Sequence, residues 1–139
     1  MKKKCLAALS VLSLSILYCA TTGIDEYSVQ KKLNSRAESI KKDRNSVYEL
    51  DNKTIGKDGY FYILRSSGKI SYHPQKALID VDFSTFSFVK EILLKRNGCI
   101  IMQAEGTGRY IFYREIDENE ILCLTIDKSE FKEAVINCY

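Results

Sequence analysis

Between Ile24 and about Leu50, apolar residues recur at Val29, Leu33, Ala37, Ile40 and Val47 with helical spacing. Charged residues, among them Lys31, Lys32, Glu38, Lys41, Lys42 and Asp43, fill the remaining positions. The pattern predicts a long amphipathic helix over 24–50 with one narrow apolar stripe. Such a stripe suits a helix laid along a sheet or a coiled-coil seam, and Arg36 and Arg44 beside it favour the first. Asp51-Asn-Lys and Gly56-Lys-Asp-Gly59 then break the period.

Beyond that break the chain reads as strands. Tyr60–Leu64 is rich in β-formers, Ser66-Ser-Gly-Lys69 supplies a hairpin turn, and Ile70–His73 forms the return strand before Pro74. Pro74 is suited to open a short helix through Leu78. Ser87 is placed to cap a helix over 88–96, with Asn97-Gly98 as its stop. Three strands follow, Cys99–Ala104, Arg109–Ile116 and Ile121–Ile126, joined by turns at Gly106-Thr-Gly108 and Asp117-Glu-Asn119. Asp127-Lys-Ser-Glu130 has capping-box spacing and predicts a final helix carrying Phe131, Ala134 and Val135. The economical architecture is α+β, an antiparallel five-stranded sheet with helices against it.

Composition places the 139 residues among globular proteins, 45% hydrophobic and 28% charged, with one Pro and seven Gly. There is room for one domain and a short extension. The formal net charge of +3 owes everything to Lys2, Lys3 and Lys4; without them 18 basic side chains face 18 acidic ones. A neutral domain has no electrostatic footprint for nucleic acid.

Lys2–Lys4 followed by the apolar run Cys5–Tyr18 has the form of a signal sequence, too short for the roughly 20 residues that span a bilayer. Cys19 ends that run, as in bacterial lipoprotein signals where the cysteine becomes the lipidated first residue, carrying an anchor of the palmitate type. Tyr18 departs from the small residue usual before that cysteine. Cleavage after Ala20 and an uncleaved anchor are the alternatives, and all three export the domain. The preferred division is a lipoprotein-type signal peptide over 1–19 and a single domain over 20–139, its sheet and helices within 58–139. The expected location is outside the cytoplasmic membrane, on the periplasmic or cell-surface side.

Besides Cys19, the exported part holds Cys99, Cys123 and Cys138, which allow at most one internal disulfide. Cys99 and Cys123 lie in apolar runs and read as small buried hydrophobes. His73 is the only histidine and there is no Cys-x-x-Cys spacing, so no metal or other cofactor is expected. No serine elbow or singled-out carboxylate pair suggests catalysis, and the expectation is a non-enzyme.

Taken in order, Asp58-Gly-Tyr-Phe-Tyr-Ile-Leu, Gly68-Lys-Ile-Ser-Tyr-His-Pro74, Leu78-Ile-Asp-Val-Asp82-Phe-Ser, Phe88-Val-Lys-Glu-Ile-Leu, Gly98, Arg109-Tyr-Ile-Phe-Tyr-Arg-Glu-Ile and Leu122-Cys-Leu-Thr-Ile-Asp-Lys resemble the extracytoplasmic Cache sensor domains. The resemblance covers roughly Tyr27 to Phe131. It implies a PAS-like sheet of order 2-1-5-4-3, a helical crossover between strands 2 and 3, and a small-molecule pocket between sheet and crossover. Cache domains usually sit between two membrane helices of chemoreceptors or kinases. This chain has neither a second hydrophobic segment nor an output domain, so a separate signalling or transport partner is expected. The Arg and Trp-Tyr signature of amino-acid-binding members is absent; Asn97-Gly98-Cys99 stands near its place, and an amino-acid ligand does not carry over.

A metabolite pocket needs apolar walls and a few convergent polar groups, and tyrosine serves both. The candidate ligand-binding residues are Tyr60, Tyr62, Tyr72, His73, Arg109, Tyr113 and Arg114. Period 2 puts Tyr60 and Tyr62 on one face of their strand and Phe61 and Ile63 on the other. Likewise Arg109, Ile111 and Tyr113 oppose Tyr110, Phe112 and Arg114. Arg109 and Arg114 suit a carboxylate ligand, and their structural alternative is surface pairing with Glu105, Glu115 or Asp117. Asp80 and Asp82 are expected near the pocket mouth. The functional expectation is an exported, membrane-anchored lipoprotein binding a small organic ligand. Its alternative is an interaction lipoprotein whose pocket Phe83, Phe86, Phe88 and Met102 fill.

Overall fold

The apolar stripe of the first helix becomes a buried face. In the computed structural model, which describes residues 23–52, 54–103, 106 and 108–138, α1 spans Glu26–Lys42. The expected signal segment over 1–19 and lipidation at Cys19 lie outside the described residues. Asp25 caps α1, its carboxylate accepting from the Ser28 N–H at 2.8 Å. That bond holds its carboxyl below the usual aspartate range. Val29, Leu33, Ala37 and Ile40 are buried.

The expected continuous helix over 24–50 is interrupted at Asp43, which is extended. Its side chain accepts from the Asn45 N–H at 3.0 Å, a local bond that competes with helix continuation. Residues Arg44–Asn52 continue as a 3-10 segment that still buries Leu50.

The sheet comprises β1 (Tyr60–Arg65), β2 (Ile70–Tyr72), β3 (Gly98–Met102), β4 (Arg109–Asp117) and β5 (Glu120–Asp127). Their order is β2-β1-β5-β4-β3, with every neighbouring pair antiparallel, as the resemblance implied. Both faces are covered. Phe61, Ile63, Phe112, Leu122, Leu124 and Ile126 join the α1 stripe on one side. Tyr62, Leu64, Ile111, Tyr113, Ile121 and Cys123 face the other. Leu122 and Leu124 are fully buried, each contributing about 2 kcal/mol of apolar transfer.

The crossover from β2 to β3 carries a 3-10 turn, Lys76–Leu78, and α2, Ser87–Lys95. Ser87 does not cap α2 as expected. It is the first helical residue, and the cap position is Phe86 with no side-chain bond. Arg96 rather than Gly98 provides the left-handed stop, at φ 62°. The Arg96 guanidinium is held by the Asp117 carbonyl at 2.6 Å and the Glu115 carboxylate at 3.2 Å.

The C-terminal segment departs most from expectation. The predicted final helix is only a 3-10 turn, Lys128–Glu130. Asp127 does accept from the Ser129 N–H at 2.8 Å. Glu130, instead of closing a capping box, accepts from the Lys57 and Asp58 N–H groups at 2.7 and 3.3 Å. Ile24 and Phe131 then pair as a parallel bridge, and the Phe131 ring packs on Tyr110 and Phe112. These long-range contacts outweigh the propensity of one short helical turn.

Cys99 is bonded to Cys138, correcting the reading of Cys99 as a free buried hydrophobe, and ties the last residues to β3. Cys123 is free and buried, as expected. Burial pushes its thiol up to about 12.

Candidate ligand-binding site

Antiparallel register lines up side chains in rows across the face opposite α1. Ile111 of β4 stands opposite Thr125 of β5, which stands opposite Tyr60 of β1. The next row runs from Tyr113 through Cys123 to Tyr62. From these rows Tyr60, Tyr62, Ile111 and Thr125, together with Leu64 and Ile70, make a floor. Leu78, Phe83, Phe88 and Val89 of the crossover make the roof, and His73 and Met102 close the sides. Between them lies a cavity of about 210 Å³, about seven water molecules' share of the liquid.

A bulge decides which β2 residues reach this cavity. Ile63 pairs with Tyr72 and Leu64 pairs with Ile70, so Ser71 has no opposite number on β1. Ile70 therefore joins the cavity side and Tyr72 the α1 side, although simple alternation would place both on one face. Tyr72 donates its hydroxyl to Asp51 at 2.6 Å. Burial first, and then this bond, raise its pKa above the ordinary tyrosine value. The bulge returns His73 to the cavity side, where its ring meets Tyr60 edge-on at 5.1 Å and Tyr62 at 6.0 Å.

His73 is 6% exposed. Its Nδ1 accepts from the Gln75 N–H at 2.9 Å, which requires that nitrogen to be unprotonated and puts the neutral ring's proton on Nε2. Burial lowers its pKa below the ordinary value of 6.5. The site thus presents a neutral imidazole with one free N–H. Tyr62 is different: burial first, and then the neighbouring Cys123, raise its pKa well above the ordinary tyrosine value.

Of the seven candidate residues, Tyr60, Tyr62 and His73 line the cavity. Arg109 lies on the same face at the rim. Its Nε donates to Thr125 Oγ1 at 3.2 Å, its Nη2 donates to the Asp58 carbonyl at 2.9 Å, and the guanidinium lies 5.7 Å from the Tyr60 ring centre. Tyr113 shares the face but packs behind the cavity, its hydroxyl buried without a hydrogen-bond partner. Tyr72 and Arg114 lie elsewhere, Arg114 in a shallow surface depression with Glu38 and Lys41. The two expected carboxylate-binding arginines are therefore not brought together. Asp80 pairs with Arg65 at 2.7 Å, and Asp82 turns back to accept from the Ser84 N–H at 2.8 Å.

Thr125 escaped the sequence reading, though a signal existed. It is the one hydroxyl residue of the run Ile121–Ile126, two positions from Cys123 and so on its face. Leu78 and Val89 carried no such signal, because the crossover has no period that says which side chains turn inward, whereas Phe83 was expected in the pocket as a side chain that fills it. Among the described residues, no group of His, Cys, Asp and Glu is arranged to hold a metal ion.

No family model and no curated protein matches this chain. Solved structures do. A methyl-accepting chemotaxis protein from Vibrio parahaemolyticus aligns at 14% identity over 73% of this chain and 89% of its own, with a TM-score of 0.56. A Cache chemosensory domain described for carboxylic acid recognition aligns at 14% identity over 73% and 88%, with a TM-score of 0.53. The extracellular domain of a protein described as a histidine kinase, mmHK1S-Z3, aligns at 19% identity with a TM-score of 0.53. That match covers 62% of this chain and 36% of the kinase ectodomain, so this chain spans only about a third of the latter. At these identities the likeness is one of fold. This chain thus has a Cache-like fold, its sheet in the order β2-β1-β5-β4-β3.

Proposed function

We propose that this chain is an exported, membrane-anchored ligand-binding lipoprotein that senses or captures a small organic molecule. Occupancy is passed to a separate signalling or transport partner. The observation that carries the reading is the cavity between sheet and crossover, with apolar walls and the Tyr60, Tyr62 and His73 side chains converging on it. This is the composition of a small-molecule site, apolar for affinity with a few polar groups for orientation. The Cys99–Cys138 bond supports export, since such bonds persist in oxidising compartments. Anchorage is assigned to Cys19, and among the described residues no helix is long and apolar enough to cross a membrane. The arrangement contains no nucleophile held by a base and a third orienting group, and the proposed role is binding without catalysis.

The rival is an interaction lipoprotein whose pocket is filled by its own side chains. Phe83, Phe88 and Met102 do stand in the walls, yet the space between them stays open. Phe86 is half exposed. A thermal-shift screen of the full chain against carboxylates, amino acids, amines, purines, polyamines and neutral carbonyl compounds tests the choice. A ligand at about a hundred times its Kd adds roughly 2.7 kcal/mol and moves the midpoint by several degrees. A reproducible shift from one class supports the sensor. A cooperative melt that answers to none defeats it and leaves the filled-pocket reading.

A further inference from the structure

We infer that the cavity takes an uncharged, largely apolar carbonyl compound, its oxygen held by His73 Nε2–H and the Tyr60 hydroxyl; this rests on the ligand-binding role proposed above. None of the cavity-lining side chains carries a formal charge. The imidazole is a neutral donor, fixed in that tautomer by the Gln75 N–H on its other nitrogen. A carboxylate seated here loses its water and gains no cation inside the cavity, which is unfavourable. The nearest guanidinium, that of Arg109, lies behind Tyr60 and Thr125, bonded to Thr125 Oγ1 and the Asp58 carbonyl. An ammonium is worse placed, because no carboxylate lines the walls.

His73 Nε2–H and the Tyr60 hydroxyl are lining donors that bond no other described residue, and their rings are 5.1 Å apart. Of the other polar groups, Thr125 Oγ1 accepts from Arg109 Nε, and Tyr62 is buried beside Cys123. A carbonyl oxygen has two lone pairs and no proton of its own to satisfy, so it matches a pair of convergent donors. The rest of the ligand meets Leu64, Ile111, Phe83 and Val89, and the 210 Å³ limits it to a single ring or a short branched chain.

Calorimetric titration of the full chain in lipid nanodiscs tests this, with empty nanodiscs subtracted. Acetophenone and cyclohexanone are the neutral probes, and benzoate and cyclohexanecarboxylate their charged counterparts. The ketones are expected to bind at least tenfold more tightly than the carboxylates. His73→Asn, whose amide oxygen still meets the Gln75 N–H, and Tyr60→Phe are each expected to weaken ketone binding severalfold while melting stays cooperative. Leu78→Trp, which fills the cavity from its roof, is expected to abolish it. Carboxylates binding as tightly as ketones overturn the neutral-carbonyl assignment and leave the sensory role standing. Unchanged ketone affinity in both donor variants overturns the two-donor geometry. Silence from both probe sets overturns the assignment, and only silence across the wider thermal-shift screen overturns the sensory role with it.

Discussion

His73 stands edge-on to Tyr60 with ring centroids 5.1 Å apart, on the opposite side of the sheet from its chain neighbour Tyr72, which is bonded to Asp51 of the 3-10 segment. The Ser71 bulge produces this division, and it separates residues that serve the cavity from residues that serve the core. It also makes the two positions separable by experiment.

Removing the Tyr72 hydroxyl breaks a part-buried bond to Asp51 without touching the cavity. Tyr72→Phe is expected to lower stability by about 1 kcal/mol, the usual net worth of such a bond. Chemical denaturation measures the loss, and ligand affinity is expected to stay within twofold of the parent. A large loss of affinity with unchanged stability would reverse the roles assigned to the two faces.

Protonation of His73 is expected to make the fold weaker in acid. Burial lowers its folded pKa below the ordinary 6.5. The unfolded chain therefore binds the proton first as pH falls, and stability drops from about pH 6.5 down to the folded value, below which this contribution is flat. Melting midpoints at pH 7.5 and 5.5 are expected to differ less in His73→Asn than in the parent chain. An equal or larger difference in the variant would place the proton-linked step on other groups.

The Cys99–Cys138 bond closes a separation of 39 residues. Loop-closure entropy for such a loop corresponds to about 4 kcal/mol, and 2–4 kcal/mol is the usual range. Cys138→Ala is expected to lower stability by about that much. A reductant is expected to destabilise the parent and leave the variant unmoved. Sensitivity of the variant to reductant would point to a different thiol chemistry.

Cys19→Ala is expected to abolish metabolic lipid labelling and leave an unprocessed precursor in membranes. Labelling that persists in the variant would remove the anchor assigned to Cys19 and favour one of the other two export routes.

The strands were legible because both sides of their alternation carry apolar residues. Phe61 and Ile63 fall on one face and Tyr62 on the other, as period 2 requires. Five of the candidate residues lay on strands where alternation was intact, and four of them, Tyr60, Tyr62, Tyr113 and Arg109, do share the cavity's face. Arg114 was excluded by the same alternation, which could have been used against it once the face was known. Tyr72 was misread because one unpaired residue inverts the alternation on one strand, and nothing in Ile70-Ser-Tyr-His marks Ser71 as that residue. The terminal helix was misread for a related reason. Its capping-box spacing is real, but Glu130 finds the Lys57 and Asp58 amides, more than seventy residues away, instead of its own first turn.

Taken alone, the sequence determined the strands, their succession along the chain and the apolar stripe of α1. These are local or periodic properties, set by which side chains recur at 3.6 or 2 positions. Tertiary structure alone decided which face holds the cavity, that Tyr72 leaves it and His73 enters it, and that Cys99 finds Cys138. Those outcomes depend on register, a bulge and contacts between distant segments, whose energies arise only when the chain brings the partners together in space.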